Sequence, residues 1–159
     1  MKVIRQCDYR DCGVTCLEYI IQFYHGYVPI DKLREDTFTN QNGCTAYHLV
    51  ETLKKYGFDS YGQNVSWDDL SGVIKPCIIH LVLNNGMHHF AVLCKTNKNE
   101  VLLMDPACGK KKMRKDDFLQ VWNGVVLIAV PYCKIPKVPK EKSVLVHITQ
   151  FMKKEKWLV

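Results

Sequence analysis

No segment of this 159-residue chain approaches the ~18 consecutive apolar residues of a membrane-spanning helix; the longest clean aliphatic run is Val125–Val130. The opening residues, Met1-Lys2-Val3-Ile4-Arg5-Gln6, lack the apolar core of a secretory signal. The chain is therefore expected to begin its life in the cytosol, where disulfides are rare, and its eight cysteines read as thiols. Cys-x-x-Cys is also missing. Cys7, Cys12 and Cys16 are spaced five and four apart, a poor pattern for structural zinc, and no metal is expected. There is no internal repeat. With 47% hydrophobic and 24% charged residues the composition excludes disorder and low-complexity fibre. The length suits one domain with a core of its own, or one domain with a short appendage.

The formal net charge of +6 suggests an acidic partner at first sight, but it is unevenly distributed. Residues 134–159 hold seven lysines against Glu141 and Glu155, whereas residues 1–133 hold 15 basic and 14 acidic side chains. The excess belongs to a tail, and the body offers no nucleic-acid motif; no nucleic acid is expected. The tail opens with Ile135-Pro136-Lys137-Val138-Pro139-Lys140, whose two prolines predict an extended connector leaving the domain. Beyond it Val144, Ile148, Phe151 and Met152 fall at helical spacing beside a Lys-rich end containing Trp157. That segment reads either as a solvated end or as a basic amphipathic helix on a membrane surface or leading to a membrane domain. The expected division is 1–133 as the domain and 134–159 as linker and amphipathic segment.

In the body, Cys12–Tyr24 puts Val14, Leu17, Ile20, Ile21 and Tyr24 on one helical face, with Asp11 as N-cap and Gly26 just past the end. Pro29–Arg34 predicts a short second helix with Pro29 in its first turn. Thr45 is suited to cap a third, Ala46–Tyr56, after the turn at Asn42-Gly43. Phe58–Gln63 alternates weakly, and Ser66–Leu70 reads as a capped helical turn. Cys77–Leu83 and His89–Cys94 read as strands joined by Asn84-Asn85-Gly86. Thr96–Asn99 turns into a strand at Val101–Asp105. Lys112–Trp122 is expected to be helical, before a last strand at Val125–Val130. Helices followed by an antiparallel sheet predict an α+β fold with two segregated lobes.

One cysteine stands apart. Cys16 should pack one turn along the first helix, and Cys77 and Cys94 should be buried small hydrophobes. Cys12 lies at a helix start, where free N–H groups and the helix dipole favour a thiolate. Gly13 beside it would let a substrate backbone approach. Asp11 opposes the thiolate by charge unless its carboxylate is occupied in capping. A thiolate nucleophile needs a base and a group that orients the base. His89 starts one strand and Asp105 ends the next; an antiparallel pairing of the two centres the turn on Asn97, where a turn is expected. By alternation His88 would point to the opposite face. The Gln6 side chain, with the Cys12 N–H, would complete an oxyanion site.

The ordered set Gln6-x5-Cys12-Gly13, His89-Phe90-Ala91-Val92-Leu93 and Asp105-Pro106 resembles the N-terminal double-glycine peptidase domain of bacteriocin-processing ABC transporters. The likeness runs over about residues 4–132 and includes Gly43-Cys44-Thr45 and the Trp122-x-Gly124 pair within Phe118–Leu127. It implies a papain-like cysteine peptidase that removes leader peptides after Gly-Gly or Gly-Ala. Carried over by position, Cys12 is the nucleophile, His89 the general base, Asp105 its orienter and Gln6 the oxyanion donor. The implied partners are a precursor peptide with an amphipathic helical leader, and the transmembrane and nucleotide-binding domains of an exporter at the cytosolic face of the membrane. No cofactor is implied for the peptidase itself; ATP would serve the transporter. Degenerate relatives that only dock substrates lack the cysteine, which is present here. The rival readings are a different Cys-His-Asp amidase or acyltransferase and a non-catalytic docking module. The run Lys110–Lys115 is read as a solvated face offset by Asp116 and Asp117.

Overall fold

The structure, a computed structural model, describes residues 1–140, so the amphipathic segment expected beyond Glu141 lies outside the described residues. Three helices come first: α1 (Cys12–Phe23), α2 (Ile30–Asp36) and α3 (Ala46–Lys55). The strands follow as β1 (Phe58–Asn64), β2 (Cys77–Val82), β3 (His88–Thr96), β4 (Glu100–Asp105) and β5 (Gly109–Arg114). Helix α4 (Lys115–Val121) and strand β6 (Trp122–Pro131) complete the body. One six-stranded antiparallel sheet has the order β1-β6-β2-β3-β4-β5. The α+β reading, helices first and sheet second, describes the molecule.

The sheet divides the core by strand alternation. Ile78, Val92, Met104 and Leu127 pack with Leu17, Ile20, Leu33, Leu49 and Leu53 of the helices. Their neighbours Ile79, Leu93, Leu103 and Val126 face the other way, onto Leu70, Phe118 and Trp122. A strand residue buried on either face explains the near-continuous apolar runs of β2 and β3. Local signals set the boundaries. Thr45 caps α3 by accepting the His48 N–H at 3.2 Å. Pro29 is at the N-cap of α2, one position earlier than expected. The Asn84–Gly86 turn is closed by the Gly86 N–H on the Leu83 carbonyl at 2.8 Å.

Two expectations change. Lys112–Trp122 is not one helix: Gly109–Arg114 pairs with β4 as the outer strand, and the helix is confined to Lys115–Val121. In that strand Lys110, Lys112 and Arg114 are exposed while Lys111 and Met113 are half-buried, a two-residue period hidden by the run of lysines. Charged side chains along an edge strand also discourage pairing with another chain. The connector does not leave the domain at residue 134. Ile135 is 4% exposed within the helix-side core, and Tyr27 bonds the Pro136 carbonyl and the Val138 N–H at 3.0 and 2.7 Å. Ile135 before the first proline and Val138 before the second carry the chain back across the α1–α2 loop to at least Val138.

Candidate active site

Cys12 opens α1, half-buried, where the helix meets β3. Burial works to raise its thiol pKa, but hydrogen bonds from the His89 ring and from the Phe90 and Gly13 N–H groups outweigh it. The thiol lies below its usual 9.0. Cys16, fully buried one turn along, goes well above the ordinary range by desolvation, and the same cause pushes Cys44 and Cys77 up to about 12. The thiols therefore separate by environment, and Cys12 is the one drawn toward a thiolate.

The His89 ring donates through Nε2–H to Asp105 Oδ1 at 2.8 Å. Its other nitrogen, Nδ1, is thereby left for the Cys12 thiol. Burial opposes a charge on the ring, but the bonds to Asp105 and Cys12 prevail and raise its pKa from 6.5 to about 9. Asp105, 4% exposed, is disfavoured as an anion by burial; His89 and the Ala107 N–H, which donates to Oδ1 at 2.9 Å, more than compensate and hold its carboxyl below the usual range. His88 points elsewhere, with Nδ1 at 3.0 Å from His80 Nε2, as alternation requires.

The expected pairing of residue 89 with 105 is two residues out. Val92 pairs with Met104 and Leu93 with Leu103, while Thr96 pairs with Val101 past an irregularity between Leu93 and Lys95. Continued, this register sets Asp105 opposite Ala91. An offset of two keeps the same face, and diagonal neighbours remain within reach of side chains as long as His and Asp.

Two further residues, Asp11 and Gly13, differ from expectation. Asp11 is at the N-cap of α1 but makes no side-chain cap bond. Its carboxylate, 1% exposed, is taken by the Arg34 guanidinium through Nε at 3.0 Å and Nη2 at 2.6 Å. Gly13 is buried, and a Cβ there would lie 2.4 Å from Cys44 Sγ and 3.2 Å from Leu49. Its missing side chain thus serves packing inward against the loop before α3, rather than access for a substrate. Gln6 is pinned beside Asp105 by its main chain, which donates to the Pro106 carbonyl at 3.0 Å. Its amide oxygen is buried without a hydrogen-bond partner.

Sequence reasoning missed Arg34, which lies on another helix with no local pattern tying it to Cys12. The Phe90 and Ala107 N–H groups were equally invisible, because main-chain donors carry no residue signature. Among the described residues no group of three or more His, Cys, Asp or Glu side chains converges as a metal site.

Residues 1–134 match the model of the peptidase C39 family. The chain belongs to that family. This C39 domain is 32% identical over 133 residues to the lactococcin-G-processing and transport ATP-binding protein LagD of Lactococcus lactis subsp. lactis, covering 82% of the chain and 19% of LagD. It is 25% identical over 158 residues to the pediocin PA-1 transport/processing ATP-binding protein PedD of Pediococcus acidilactici, covering 97% of the chain and 22% of PedD. The chain thus spans about a fifth of the length of these curated relatives. Among solved structures, it is similar to a double glycine motif protease from an AMS/PCAT transporter in complex with the leader peptide. The TM-score is 0.76 at 28% identity, over 82% of this chain and 91% of that one. The peptidase domain of Streptococcus ComA, a bifunctional ABC transporter of a quorum sensing pathway, matches with TM-score 0.76 at 29% identity, over 82% of this chain and 98% of that one. The papain-like fold of the C39 domain is shared with these neighbours, and the chain is a cysteine peptidase by family.

Proposed function

We propose that this C39 domain hydrolyses the peptide bond after a double glycine, Gly-Gly or Gly-Ala, at the end of a leader, with Cys12 as nucleophile. The observation that carries the reading is the position of His89 between Cys12 and Asp105, which lowers the thiol pKa and raises the imidazole to about 9. A lowered thiol beside a raised imidazole favours the thiolate–imidazolium form of the pair.

The thiolate attacks the scissile carbonyl, forming an S–C bond and a tetrahedral oxyanion. The Cys12 N–H and the Gln6 side-chain amide stabilise that oxygen; the buried Gln6 amide oxygen has no partner, and a half-turn of the amide puts its NH2 at that place. As the C–N bond breaks, imidazolium Nδ1 gives its proton to the leaving amine. A thioester of the leader remains. Neutral His89 then takes a proton from water, hydroxide adds to the thioester, and the leader leaves with a C-terminal carboxylate. Asp105 stays ionised throughout, fixing the ring through Nε2 and stabilising its charged form.

Two glycines before the cut suit a passage too narrow for side chains, and the leader would bind as an amphipathic helix in an apolar groove. The relatives are transport and processing proteins. On that ground the domain works with the transmembrane and nucleotide-binding parts of an exporter, at the cytosolic face of the membrane, where the lysine excess of residues 134–159 suits an anionic surface. The peptidase step uses no cofactor; ATP serves the transporter.

Incubation with a panel of leader peptides, with cleavage sites read by mass spectrometry, tests this reading. Cuts after Gly-Gly support it. Binding without cleavage would make the chain a docking module, and transfer to an added nucleophile with inert Gly-Gly peptides would make it a different thiol acyltransferase.

A further inference from the structure

Helix α1 begins with a buried carboxylate directly before Cys12, and nothing in the cysteine peptidase chemistry above uses it. Asp11 is 1% exposed and caps no N–H group of the helix. Left alone it would disfavour a second negative charge on the adjacent residue and so oppose the thiolate. It is not left alone. Arg34, 23 residues along the chain on α2, grips it with two parallel bonds, Nε to Oδ1 at 3.0 Å and Nη2 to Oδ2 at 2.6 Å. The third guanidinium nitrogen, Nη1, holds Asp31 at 2.6 Å, which fixes the fork on its own helix. A planar, permanently charged fork is the one side chain that satisfies both carboxylate oxygens at once.

The surroundings leave the task to Arg34. Cys12 is faced by His89 from β3, with Asp105 of β4 behind it, by Cys44 from the loop before α3, and by Cys16 on its own helix. Asp11 is faced by Arg34 from α2, and its field reaches Cys44. Arg34 in turn faces Asp31 and, at longer range, Asp8, whose own carboxylate is occupied by Arg10. Within this set Arg34 is the cation bonded to Asp11, and α2 contacts α1 along the same seam.

We propose that Arg34 is a positioning residue for Cys12: its bidentate pair with Asp11 cancels the buried negative charge next to the nucleophile and fixes the first turn of α1, so that the thiolate and imidazolium coexist. The inference rests on the reading of Cys12 as the nucleophile. It also accounts for how an acidic residue is tolerated beside a catalytic thiol: the charge is neutralised from a different helix.

The test is the pH dependence of iodoacetamide alkylation at Cys12, followed by peptide mass spectrometry on the intact 159-residue chain. It compares the wild type, Arg34→Met, Asp11→Asn and the double variant. With Asp11 unpaired, Arg34→Met moves the acid limb up by about one pH unit, or roughly tenfold less thiolate on that limb. With the guanidinium unopposed, Asp11→Asn moves it down. The double variant returns close to wild type. Shifts of the same sign in both single variants, or none in either, would reduce Arg34 to a structural clamp and overturn the proposal. Should Arg34→Met lose its cooperative unfolding transition, Asp11→Asn alone decides, and an unmoved limb overturns it. A wild-type Cys12 that titrates like a free thiol sinks the triad reading instead, so the two failures are distinguishable.

Discussion

His89 Nε2 meets Asp105 Oδ1 at 2.8 Å although the β3–β4 ladder, if continued, sets the two residues diagonally rather than opposite. The contact therefore depends on side-chain reach across a two-residue offset, and it determines which ring nitrogen remains for Cys12. A carboxylate on Nε2 leaves Nδ1 toward the thiol, and the raised imidazole pKa follows from both neighbours together.

Replacing Asp105 by Asn removes one of the two groups that keep His89 charged. The proposed mechanism requires ionised Cys12 and protonated His89, so on it activity rises with pH as the thiol, lowered from 9.0, ionises, and falls as the imidazole, at about 9, loses its proton. Asp105→Asn should shift the alkaline limb of kcat/KM to lower pH and reduce turnover more than leader binding. A pH-rate profile measures both, and an unmoved alkaline limb with unchanged turnover would remove Asp105 from the triad.

Gln6 is held by its main chain, so truncating the side chain leaves the Pro106 bond in place. Gln6→Ala is expected to lower kcat by about 10²–10³ with little change in KM, the usual effect of losing one oxyanion donor. Steady-state kinetics on a leader substrate check this. A defect confined to KM would assign Gln6 to substrate binding.

Much of the site was legible in the sequence because its parts carry local signatures. Cys12 follows the last non-helical residue before an apolar 3.6-residue period, and His89 and Asp105 sit at the ends of strands joined by one turn. Parity, which survives a register error of two, was enough to bring His and Asp to one face. What escaped notice depends on tertiary contacts. The Asp11–Arg34 pair joins two helices, Gly13 is filled by Cys44 from a loop, and the lysine-rich β5 hides its two-residue period behind chemically identical neighbours. Ile135, directly before the first of two prolines, reads as linker by composition, yet its burial is decided by the space above Gly26, where a Cβ would lie 2.4 Å from the Ile135 side chain.

Gly13→Ala offers a test of that inward role. The new methyl would lie 2.4 Å from Cys44 Sγ and close to Leu49, so the variant should lose about 1–3 kcal/mol of stability by overpacking. Cys44→Ala in the same chain should recover a substantial part of the loss. Urea unfolding of the two variants provides the comparison. Unchanged stability with a raised KM would return Gly13 to the substrate-access role.

The central claim is that Cys12 forms and breaks the bonds of a peptidase, and Cys12→Ala addresses it directly. A synthetic precursor with a Gly-Gly leader, incubated with the wild-type chain and with this variant, is followed by mass spectrometry while leader affinity is measured in parallel. The account predicts a cut after the second glycine by the wild type, none by the variant, and near-equal leader affinity. Retained cleavage after Gly-Gly by the variant would contradict it.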